Sequence, residues 1–149
     1  MFFLDQLLGF REARRVLRPG GTLLANVWCS LEENPAAGVA HTVLSRMFED
    51  DAPQFLRVPF GSGDVDAMRQ LAAAAGFANV AIARVDLSGR AASARIVAEG
   101  FVKGSPLSAE LIALGADLDA VASAFEEALH RHGGTPFRSP LSALVLAAS

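Results

Sequence analysis

Three histidines, one cysteine and one tryptophan hold most of the reactive side-chain chemistry of this 149-residue chain. His41 titrates near neutrality and has the chemistry of a general base toward a hydroxyl group. On a helix of this composition its expected position faces solvent. His130 and His132 stand two residues apart near a helix end, which turns them to different sides; a helical metal pair needs i, i+4 spacing. They read as surface residues that complement the helix dipole. Cys29 has no base neighbour in sequence and reads as a small buried hydrophobe rather than a nucleophile. As a lone cysteine it excludes an intrachain disulfide and a multi-cysteine zinc site. Asp50 and Asp51 read as a solvated loop. Gly61-Ser62-Gly63 is the only GxG; it follows a proline-containing loop instead of a strand, so it reads as a loop closure and not a phosphate cradle. No GxSxG, Walker-type, HExxH or kinase signature is present. Trp28 stands out by position, because it ends a predicted strand and open α/β sheets place ligands at that end.

The elements that must carry these residues follow from capping and periodicity. Asp5 caps a helix over 6–17, and Arg14, Arg15 and Arg18 gather at its C-terminal end. Pro19-Gly20-Gly21 stops it, and 22–29 (TLLANVWC) follows as a strand. Its near-continuous apolarity predicts burial on both faces, as in a covered parallel sheet. Helices are expected over 36–48 and, capped by Asp64, over 65–75, with Gly76 closing the second. Residues 78–87 alternate as a strand. Ser93 caps a helix to about residue 102. A longer helical region over 108–132 is divided near Gly115, with Asp117 as a second cap. A last apolar strand covers 141–148. The pattern predicts an α/β layer with helices in every crossover.

Composition narrows the class. Hydrophobic residues are 52% and charged residues 19%, which excludes a disordered chain. A net charge of −3 argues against a partner held by phosphate contacts, so no nucleic acid is expected. No apolar run reaches the ~18 residues of a membrane span, and the N-terminus is no signal peptide, so no membrane partner and a cytoplasmic location are expected. Twelve of the 13 basic residues are arginine, a bias that points to a GC-rich bacterial coding sequence.

Order and wording add a family resemblance. Residues 15–21 (RVLRPGG), a strand ending in Val27-Trp28, and 71–77 (LAAAAGF) running into another strand resemble the C-terminal half of a class I S-adenosylmethionine-dependent methyltransferase of the small-molecule type. Residues 2–5 (FFLD) are similar to wording after that family's fourth strand, and 101–107 to its cap region. The resemblance covers essentially the whole chain. It implies a Rossmann-like half-domain with a mixed three-stranded sheet in the order 5-7-6, the last strand antiparallel, and cap-like helices at about 35–50 and 93–132.

The implied chemistry is methyl transfer from S-adenosylmethionine to a small-molecule acceptor. On the same resemblance Phe2 and Phe3 contact the cofactor, while Trp28, His41 and Phe101 face the acceptor. The family's glycine loop and ribose carboxylate have no counterpart here. The expectation is therefore a truncated chain that does not bind cofactor alone and pairs with a missing N-terminal half. The alternative is a non-catalytic interaction module, with residues 22–29 as an open strand edge that joins a homodimer.

Overall fold

The computed structural model describes residues 3, 5–61 and 63–149. The chain folds into two compact units. The first takes Met1–Ser30, Val58–Asp86 and Ser142–Ser149; the second takes Leu31–Arg57 and Leu87–Leu141.

In the first unit, α1 (Gln6–Val16) starts where the Asp5 carboxylate accepts the Leu8 N–H at 2.8 Å. β1 is Leu23–Trp28. The next helix, α2 (Pro35–Phe48), belongs to the second unit. α3 (Val65–Ala74) returns to the first and begins under Asp64, whose carboxylate accepts the N–H groups of Asp66 and Ala67. β2 spans Val80–Ala91 and β3 Phe137–Ala148. The sheet order is β1-β3-β2. Leu23 to Trp28 pair antiparallel with Ala148 to Ala143, and Asn79 and Ser149 exchange backbone hydrogen bonds at the start of β2. The β1–β3 ladder is antiparallel, and the reciprocal Asn79–Ser149 pair is of the antiparallel kind, so the expected mixed sheet is corrected to an antiparallel one.

The strand expected over 22–29 is also not buried on both faces. Leu24 is 73% exposed while Val27 is 8% exposed. Leu23, Ala25 and Val27 face a core with Met68, Ala72, Phe77, Leu144 and Leu146. Apolarity alone did not reveal this, since Leu24 is as hydrophobic as its buried neighbours. Phe10 meets Phe77 edge to face, and the Arg14 guanidinium lies 5.8 Å from the centre of the Phe77 ring.

The second unit is mainly helical and includes residues 87–91 of β2 and 137–141 of β3. Besides α2 it contains α4 (Ala94–Val102), α5 (Leu107–Ala113) and α6 (Leu118–Gly133). Ser93 caps α4 by accepting the Ile96 N–H, and Asp117 caps α6 through Asp119 and Ala120. The division of the long helical region near Gly115 follows from that second cap. Ala40, Ala98 and Ala122 are fully buried. Small side chains at those positions let helices approach closely, and Leu44, Val102, Leu107, Leu111, Phe125 and Leu129 fill the space between them. Among the described residues no helix is long and apolar enough to cross a membrane.

Phe125 has no exposed surface and touches Phe101 edge to face. Replacing it with alanine is expected to cost about 3–5 kcal/mol in urea unfolding. Asp117→Ala, which removes only a cap, is expected to cost about 1 kcal/mol. Equal losses for the two variants would contradict this core assignment.

Candidate functional site

The residues singled out by sequence fall in different units. Phe3 and Trp28 belong to the first, His41 and Phe101 to the second. Phe2 lies outside the described residues.

Phe3 is 67% exposed, and its ring covers Gly9 so closely that a β-carbon there would lie 2.9 Å from it. Phe3 also lines a cavity of about 130 Å³ with Phe10, Ala13, Ala25, Val27 and Met68. Gln6 and Asn26 are the polar residues of that lining. Trp28 is not part of it. Its ring lies half-buried against Phe60, with centres 6.0 Å apart. Beside it Cys29 is 1% exposed, and its N–H continues the ladder to the Ser142 carbonyl.

Ser142 ties this region to an acid. Its hydroxyl lies 3.3 Å from the Cys29 sulfur. A hydrogen bond from Ser142 is also the main cause that holds the Asp86 carboxyl below its usual range, followed by Arg84. The Ser142 hydroxyl donates to the Cys29 sulfur. The backbone at Gly63 packs against Cys29 so tightly that a β-carbon would sit 2.6 Å from Cys29 Cα. The GxG over 61–63 therefore includes a close backbone approach.

His41 is half-buried on α2. Arg57 Nε donates to its Nε2 at 3.2 Å. A guanidinium only donates, so Nε2 holds the lone pair and the ring proton sits on Nδ1. Nδ1 is buried and makes no hydrogen bond among the described residues. The lone pair that a general base would use is thus the one occupied by Arg57. Burial, and then the charge of Arg57, lower the imidazole pKa from 6.5. His41 also lines an open groove of about 490 Å³ with Thr42, Arg46 and Arg131. Phe101, by contrast, packs half-buried on the helical core, where its ring faces Phe125.

The two C-terminal histidines have separate partners. His130 Nδ1 is 3.2 Å from Thr135 Oγ1, and His132 Nε2 is 3.1 Å from Ser139 Oγ. Among the described residues no group of three or more His, Cys, Asp or Glu side chains is arranged to hold a metal ion. The roles of Arg57, Phe60 and Ser142 are not legible in the sequence. Each acts through a partner distant in the chain, and no local spacing announces such contacts.

No protein-family model matches the sequence, and no curated protein matches it.

The state of His41 has a measurable consequence. Its folded pKa lies below the unfolded value of 6.5. Between the two values the unfolded chain binds more protons than the native one. The stability due to the neutral ring is therefore fully present above the unfolded value, and is lost as pH falls through the folded one. In urea unfolding at about pH 8 and about pH 5, wild type is expected to lose more stability on acidification than His41→Gln. Parallel losses would contradict the neutral, Arg57-bound ring.

Proposed function

We propose that the chain is the acceptor-side half of an S-adenosylmethionine-dependent methyltransferase acting on a small molecule, and that it does not bind the cofactor by itself. The observation that carries the reading is the sheet order, with the last strand lying between β1 and β2 and antiparallel to its β1 neighbour. That is the order the family resemblance implies. The inserted helices of the second unit, where the resemblance expects a cap, add support.

The cofactor itself does not fit the cavity beside Phe3. S-adenosylmethionine carries a ribose diol, a sulfonium and a charged amino-acid group. The described lining offers Gln6 and Asn26 as polar residues and no carboxylate. Those polar contacts are assigned to protein outside this chain. This chain would supply acceptor-side surface: Trp28 in the first unit and, separately, His41 and Phe101 in the second are each proposed to face an acceptor. Bound Arg57 makes His41 a positioning group and not a base. Cytoplasmic location and bacterial origin belong to the same proposal.

One observation favours a second reading. Among the described residues β1 pairs only with β3, so its other edge is open, and Leu24 beside it is exposed. An apolar strand with unpaired N–H and C=O groups is a template for another strand. On this reading the chain is an interaction module that dimerises through 22–29.

Calorimetric titration of the folded 149-residue chain with S-adenosylhomocysteine tests the first reading. No saturable heat is expected; micromolar binding would overturn the claim that this half lacks a cofactor site. An in-frame glycine-loop segment encoded upstream of Met1 is the expected genomic context, whereas a stop codon with a separate ribosome site would overturn it. Sedimentation at rising concentration separates the second reading, which requires self-association; a persistent monomer would count against it.

A further inference from the structure

The cavity in the first unit has a definable origin. Gly9 and Ala13 stand at i, i+4 on α1 and so share one face of the helix. They face Ala25 on β1, and three small residues together leave a space that larger side chains would fill. Met68, Leu144 and Leu146 form other walls. The volume is about 130 Å³. An engineered apolar cavity of ~150 Å³ in another protein stays dry and binds benzene or xenon. The space here is of that order.

The entrance is as specific as the walls. Gly9 has no room for a β-carbon beneath Phe3, whose ring lies across it. Helical glycine costs about 1 kcal/mol relative to alanine, so this position is not explained by helix propensity. A β-carbon at this position would have to displace the Phe3 ring. Phe3 itself is largely exposed. The long, unbranched Met68 adapts to irregular occupants.

We propose that this cavity is a binding site for a small neutral apolar group, one aromatic ring or its aliphatic equivalent, with Phe3 as its cover. A charged ligand is disfavoured by chemistry, because the described lining holds no charged residue to offset the loss of water. Gln6 and Asn26 accommodate at most a hydroxyl or similar polar substituent. The site does not depend on the methyltransferase reading, since every wall belongs to the first unit and no cofactor contact is invoked.

Benzene is the probe, followed by methyl NMR of the full chain. Saturable shifts are expected at Met68, Leu144 and Leu146, with none at Leu44, Leu111 and Leu129 of the helical unit. Benzoate is expected to produce no saturable shift. Ala13→Leu, which fills the space from α1, is expected to lose the benzene response while keeping the dispersed spectrum of a folded chain. Ala25→Leu does the same from β1 and serves if the first variant does not fold. Shifts that fail to saturate, that appear equally in both units, that survive the filling variants, or that benzoate reproduces would each overturn the proposal. Failure of this test leaves the cofactor titration unaffected, so the two claims fall separately.

Discussion

The ladder between β1 and β3 is the constraint on which the first unit rests. It joins residues 23–28 to residues 143–148, so it closes a loop of nearly the whole chain. Closing so long a loop is entropically costly, and non-local pairing of this kind forms only when burial rewards it. The reward is visible in β3, where Leu144, Leu146 and Ala148 are buried in alternation. Their partners Val27, Ala25 and Leu23 project to the same side. A one-residue slip would turn every one of these side chains to the opposite face. Register and core are therefore one requirement, and β1 takes its exposed face with Leu24 as a consequence.

The helical unit depends on a different device. Alanines at the contacts of α2, α4 and α6 bring helix backbones together, and a few large residues occupy the remaining volume. Phe125 and the leucines around it are the filling. Charged groups decorate the outside: Arg95 meets Glu99 and Glu126, and Lys103 meets Asp119, all on part-exposed side chains. Such surface pairs contribute at most about 1 kcal/mol each, so the unit is held by its interior.

The chemistry of both units is shaped by which group donates to which. His41 is chemically a base in the sequence, yet Arg57 occupies the relevant lone pair. Cys29 is chemically a nucleophile, yet Ser142, Gly63 and the sheet enclose it. Asp86 stays ionised in an exposed position because Ser142 and Arg84 favour its charged form. In each case the residue type promises more reactivity than its neighbours allow. The opposite holds for Gly9 and Ala13, chemically inert residues whose smallness creates the apolar cavity beside Phe3.

Element types, caps and the break near Gly115 were readable in the sequence, because they depend on residues within a turn or two of one another. Asp5, Asp64, Ser93 and Asp117 each cap the helix that follows. Strand ends were less readable: β3 begins at Phe137 and not near 141, and β2 runs on to Ala91. There, pairing partners far along the chain extend the strands beyond their apolar cores. The exposure of Leu24, the covered lone pair of His41 and the tie of Cys29 to Ser142 were decided only in three dimensions. All three depend on contacts between residues many positions apart, and a sequence specifies such contacts through packing and long-range hydrogen bonding, for which no local pattern stands.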